Sequence, residues 1–154
     1  MGDEIVENKI IEDVIITPLK IIDVLNGDVL HGLKATDSCY DGFGEAYFST
    51  INSGAIKAWK RHHKMTMNLI VPTGVVRFVL FDDRHSIKSN GYFQQVVLSR
   101  KHYFRLTIPP MIWVGFQGQD NKESTILNIA NIQHQANEVD QKDKKEINFN
   151  WELS

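Results

Sequence analysis

Six side chains that are cationic or readily become so stand within one short stretch: Lys57, Lys60, Arg61, His62, His63 and Lys64. A cluster this local suits a small anion rather than a nucleic-acid or membrane surface, since the chain as a whole carries a net charge of −2. In a regular strand Lys60, His62 and Lys64 share one face, and Lys57, Trp59, Arg61 and His63 share the other. An imidazole titrates near neutrality, so His62 is the cheaper general base. Lys60 serves as a base, or as a Schiff-base nucleophile, only if burial or the field of Lys57, Arg61 and Lys64 lowers its pKa. His62 and His63 point to opposite faces and cannot readily share a metal ion, so no metal site is expected.

The elements that must carry this stretch are short. Apolar runs at Val14–Ile16, Ala46–Ile51, Met65–Val71, Val75–Phe81, Val96–Leu98, Phe104–Ile108 and Thr125–Ile129 are separated by turn chemistry. Asn26-Gly27, Pro72-Thr73-Gly74, Asp82-Asp83-Arg84 and Ser89-Asn90-Gly91 supply that chemistry. Roughly ten short strands at even spacing, without a convincing helical period, predict an all-β sandwich or barrel. With 154 residues, 42% of them hydrophobic, the chain is expected to be one domain over residues 1–154. Residues 1–12 read as an N-terminal arm and 137–154 as a C-terminal segment. The charged run Glu138 to Glu146 reads as solvated surface, and Ile147 to Trp151 as an apolar anchor returning to the barrel. The lone Cys39 excludes an internal disulfide framework, and the acidic Met1 to Asn8 stretch is no signal peptide; a cytoplasmic protein is expected.

Several segments, in order, resemble one family. Phe43-Gly44-Glu45-Ala46-Tyr47 resembles its F-x-E-x-Y, and Gly54-Ala55-Ile56-Lys57-Ala58-Trp59-Lys60 its G-x-L-R-G-L-H. The stretch from Gly74 to Arg84 resembles G-x-V-x-D-V-x-V-D-L-R, and Leu106 to Pro110 resembles x-x-I-P-x-G. Trp113-Val114-Gly115-Phe116 stands at x-H-G-F, and Phe149-Asn150-Trp151 at the closing I-x-W. The family is that of the dTDP-4-dehydrorhamnose 3,5-epimerases, cupin-fold enzymes acting on deoxysugar nucleotides. The resemblance spans roughly residues 14 to 151. It implies a cupin-type jelly-roll barrel, a homodimer, a nucleotide-diphosphate 4-keto-6-deoxysugar in the barrel mouth, and no cofactor.

Epimerisation beside a ketone needs a base, a stabiliser for the enolate oxygen and an acid on the opposite face. The family meets these needs with a His–Asp pair, a Lys and a Tyr. Here Lys60 stands at the His position, Asn68 at the Lys, Asn128 at the Tyr and Val114 at the His of H-G-F. No counterpart of the base's carboxylate partner is legible. Lys60 and His62 are therefore the catalytic candidates. Lys57, Glu45, Trp59, His63, Asn68, Arg77, Trp113 and Asn128 are the candidate substrate contacts. Arg77, polar within an apolar run, is expected to point into the barrel toward an anionic ligand or a carboxylate. Two other readings stand beside epimerisation: a ketosugar isomerase using Lys60 or His62, and a non-catalytic cupin that binds a sugar nucleotide through the basic cluster.

Overall fold

A computed structural model describes residues 8–152; residues 1–7 of the N-terminal arm and the last two residues lie outside the described part. Among the described residues twelve strands follow in chain order. They are β1 (Ile15–Pro18), β2 (Ile21–Ile22), β3 (Val29–Leu30), β4 (Glu45–Ile51), β5 (Ile56–His62) and β6 (Met67–Thr73). They continue with β7 (Val75–Phe81), β8 (Phe93–Ser99), β9 (Phe104–Ile108), β10 (Trp113–Gly118), β11 (Ser124–Ala130) and β12 (Val139–Gln141). Ten of them form two five-stranded antiparallel sheets, β1-β9-β6-β11-β4 and β12-β5-β10-β7-β8, and β2 with β3 makes a separate hairpin. This is the cupin-type jelly roll that the resemblance implies, within the all-β class that the strand spacing predicts. Among the described residues no helix is long and apolar enough to cross a membrane.

Period-two alternation builds the core. Along β11 every second residue, from Ser124 through Ile126 and Asn128 to Ala130, is buried. Ile126 and Ala130 meet Leu69, Val71, Phe78, Leu80, Leu106 and Ile108 between the sheets. Fully burying an aliphatic side chain of this size contributes about 1.5–3 kcal/mol. The chain passes from the first sheet to the second at Gly74, between β6 and β7. Its φ of 91° is in the left-handed region, and a Cβ there would fall 2.1 Å from Ser124 Oγ, so no other residue fits.

A second apolar cluster lies on the outer face of the β5-containing sheet. It joins Trp59, Val79 and Trp113 to Ile147 and Trp151 of the C-terminal segment. Gly115 lets that segment approach, because a Cβ at this position would stand 2.9 Å from the Trp151 ring. Before reaching this anchor, the chain runs through a 3-10 turn (Ala136–Glu138) and β12, which adds to the edge of β5 in the register Val139 with His62 and Gln141 with Lys60. Tertiary pairing thus turns the stretch expected to be solvated into a strap along the strand that carries the basic cluster. Glu138 in particular is 2% exposed.

Candidate functional site

Between the two sheets, at the end closed by this strap, lies a cavity of about 620 Å³. That volume is in the range of small-molecule sites. Its walls are mainly apolar, from Leu69, Phe78, Val114, Phe116 and Ile126, with a few polar groups converging on the space.

One wall belongs to β5. Lys57, Lys60 and His62 all line the cavity. Strict alternation predicts Lys57 on the face opposite Lys60, and the structure corrects this. The pairing of β5 with β10 slips between Val114–Lys60 and Phe116–Lys57, so a bulge on β5 resets the alternation and brings Lys57 inward. Lys57 Nζ donates to the Thr50 carbonyl at 2.9 Å. Beyond the bulge the alternation holds. Arg61 and His63 face outward, where Asp140 Oδ2 receives Arg61 Nη2 at 2.6 Å and His63 Nε2 lies 2.8 Å away.

His62 is buried, and its Nδ1 lies 2.5 Å from Glu138 Oε1. The other carboxylate oxygen accepts the backbone N–H groups of Lys64 (3.0 Å) and Met65 (3.2 Å). Burial works against the charged form of Glu138, but the bonds from His62 and from these two amides outweigh it and hold its pKa below the usual glutamate value. An ionised carboxylate only accepts, so Nδ1 carries the proton and Nε2 is the nitrogen left for the cavity. A carboxylate therefore braces this imidazole, a partner that the sequence does not make visible. Glu138 lies 76 residues from His62 inside a charged run, and no spacing rule links the two.

The other wall belongs to β11 and β4. Asn128 lines the cavity and is 2% exposed; its Oδ1 accepts the Asn68 backbone N–H at 3.2 Å and its Nδ2 reaches Tyr47 Oη at 3.0 Å. Tyr47 and Ser49, alternate residues on β4, line the same wall. In the sequence Tyr47 stands out only as the last residue of the F-x-E-x-Y segment; the alternation of β4 is what sets it on this wall with Ser49.

The remaining candidates are elsewhere. Asn68 turns to the other face of its sheet, where its Oδ1 accepts Thr107 Oγ1 at 2.7 Å. Trp59 forms part of the cavity wall, but its ring packs 5.4 Å from Trp151 and edge-on to Phe149. Trp113 stacks under Arg61 at 4.6 Å and donates Nε1–H to Asp83. Arg77 does not enter the barrel. It lies on the outer face under the C-terminal segment, where Gln117 Oε1 and the Trp151 carbonyl each accept from Nη2 at 2.5 Å. Alternation explains this, because its neighbours Val76 and Phe78 take the inward positions. Glu45 is half-buried at the start of β4 and accepts the His134 backbone N–H at 3.0 Å, tying the strap's approach rather than facing the cavity. Asp82 and Arg84 form a turn-stabilising pair at 3.0 Å. Among the described residues no three His, Cys, Asp or Glu side chains converge as metal ligands would.

No family model matches the chain. Among solved structures it is similar to a dTDP-sugar isomerase from Desulfovibrio desulfuricans G20, with 35% identity, 91% of each chain covered and a TM-score of 0.87. A dTDP-6-deoxy-D-glucose-3,5-epimerase from Legionella pneumophila, solved with dTDP-4-keto-L-rhamnose, shares the fold. Its TM-score is 0.82 at 18% identity, with 96% of this chain and 82% of that chain covered. Among curated proteins, the spore coat polysaccharide biosynthesis protein SpsL of Bacillus subtilis (strain 168) is 27% identical over 123 residues, 77% of this chain and 82% of its own. With that identity to the Desulfovibrio enzyme over nearly all of both chains, the protein belongs to the cupin-fold family of dTDP-sugar isomerases and 3,5-epimerases, as a divergent member.

Proposed function

We propose that the protein is a nucleotide-sugar epimerase acting on a nucleotide-diphosphate 4-keto-6-deoxysugar, in the making of deoxysugars for a polysaccharide. The observation that carries this reading is the buried His62–Glu138 dyad at the wall of the cavity. A neutral imidazole with its Nδ1–H committed to a carboxylate presents a basic Nε2 to the substrate. It takes the proton from the carbon next to the ketone. The electron pair of that C–H bond becomes the enolate double bond, and the carbonyl electrons move onto oxygen. Lys60 and Lys57 put cationic charge beside the same space, where it favours both the enolate oxygen and a diphosphate. Lys60 is thus an electrostatic group and His62 the base. The B. subtilis relative's role in polysaccharide biosynthesis supports the pathway class. No metal or organic cofactor enters this chemistry.

A homodimer working in the cytoplasm completes the proposal. The edge strand β4 and the loop before it present Phe48 (68% exposed) and Phe43 (63% exposed), an apolar edge that a second copy would cover. Sedimentation of the purified chain tests it; a monomer at micromolar concentration rejects it.

A ketosugar isomerase using His62 alone is the second reading, favoured by the activity named for the Desulfovibrio relative. One experiment tests both. Wild type, Lys60→Ala and His62→Ala are incubated with dTDP-linked 4-keto-6-deoxysugars in deuterated water, and products are read by mass spectrometry and NMR. Deuterium at an inverted carbon, lost in His62→Ala and kept at a reduced rate in Lys60→Ala, supports epimerisation. Deuterium with a displaced carbonyl supports isomerisation. No incorporation, with dTDP binding intact by calorimetry, leaves a non-catalytic binding protein.

A further inference from the structure

Inversion requires a proton to arrive on the face opposite the one it left. His62 and Lys60 both project from β5, so neither serves the far face. On the facing sheet the cavity offers Ser49, Asn128 and Tyr47. A serine hydroxyl and a neutral amide are too weakly acidic to protonate an enolate carbon, whereas a phenol is a workable general acid.

The hydrogen bonds around Tyr47 settle which way its own proton is free to point. The Asn68 backbone N–H can only donate, so the Asn128 atom that meets it is the carbonyl Oδ1. The other end of that amide, Nδ2, must then be what faces Tyr47 Oη, and it donates to the phenol oxygen at 3.0 Å. The phenolic O–H is therefore not used on Asn128. Tyr47 is 40% exposed at the cavity mouth, with Asn128 directly across the strand pair in register.

We propose that Tyr47 is the catalytic acid that delivers the second proton, on the face opposite His62, and that Asn128 is its positioning residue. The proposal rests on the epimerase reading above. After His62 has taken the α-proton, Tyr47 Oη–H gives its proton to the far face of the enolate carbon. The enolate electron pair forms the new C–H bond, and the carbonyl is restored. The phenolate left behind meets the Asn128 Nδ2–H and recovers a proton from water; His62 returns its own proton to water.

The test uses the full chain and dTDP-4-keto-6-deoxyglucose in deuterated water, comparing wild type, Tyr47→Phe, Asn128→Ser and His134→Ala. His134 also lines the mouth and is the rival donor. Tyr47→Phe should keep deuterium exchange into the recovered starting sugar within a few-fold of wild type and lose inverted product by about 100-fold or more. Asn128→Ser should lower inversion by about 10-fold without lowering that exchange in proportion, and His134→Ala should leave inversion close to wild type. Unchanged dTDP binding by calorimetry confirms that the variants are folded. Inversion by Tyr47→Phe at the wild-type rate overturns the assignment, as does equal loss of exchange and inversion, or loss of inversion in His134→Ala alone. Wild type that exchanges no deuterium into any sugar of the panel overturns the epimerase reading itself, and the role of Tyr47 with it.

Discussion

The imidazole of His62 and the carboxylate of Glu138 meet at 2.5 Å although the residues are 76 positions apart, because β12 pairs with β5 and brings the 3-10 turn before it against the end of that strand. The same carboxylate also accepts two backbone N–H groups, so it braces both the imidazole and the turn that follows β5.

Glu138→Gln keeps the size of the side chain but removes the charge that fixes the imidazole tautomer. Deuterium exchange into the sugar should fall by about 100-fold or more, while dTDP affinity measured by calorimetry stays within a few-fold. Glu138→Ala should in addition lower stability by roughly 1–3 kcal/mol in urea unfolding, because the buried Met65 amide and the part-buried Lys64 amide lose their acceptor.

Acid should weaken the fold through the same group. The folded-state pKa of Glu138 is depressed, so the stability it contributes is fully present above the ordinary glutamate value of 4.5 and is lost as pH falls below it. Asp82 adds a second contribution of the same sign. Burial opposes its charge, but the bonds from Arg84 and Ser89 outweigh that and depress its pKa below the ordinary 3.8. Urea midpoints measured from pH 7 downward should hold until about pH 5 and then decline. In Glu138→Gln the upper part of that decline should be missing.

If the cavity takes the proposed nucleotide diphosphate, Lys60→Ala should weaken dTDP binding by about 10-fold, and Lys57→Ala by a comparable factor, each being a cation lost from a mostly apolar cavity. Calorimetric titrations at low and high salt check this: the difference between wild type and either variant should shrink as salt screens the interaction.

Gly115→Val should unseat the C-terminal segment. Even a Cβ at this position meets Ala58 Cβ at 2.8 Å and the Trp151 ring at 2.9 Å. Overpacking of this kind costs about 1–3 kcal/mol. Because the strap carrying Glu138 is anchored by Trp151 and Ile147, activity should fall more than dTDP affinity. Melting curves and exchange assays on the same preparation check both.

The chain's local chemistry determined a good deal by itself. Alternating apolar residues bounded by Gly, Pro and Asn leave little but an antiparallel β fold for elements such as β7 and β11, because period two exposes one face and buries the other. Motif order from Phe43 to Trp151 placed that fold in a family, and the basic stretch marked β5 as the strand to watch. Alternation beyond the bulge also correctly separated His62 from His63. What the tertiary structure decided are the relationships that join distant parts of the chain. A bulge opposite β10 turned Lys57 inward, and nothing local to residues 56–62 announces it, since its cause is the register of a neighbouring strand. Arg77 lies outside the barrel because Val76 and Phe78 hold the core positions. Glu138 reads as one charge in a solvated run until β12 docks, and pairing along β5 then desolvates it against His62. Asn128 occupies the place where the family resemblance expects a tyrosine, and the phenol it orients comes from the next strand, through a pairing between residues 81 positions apart.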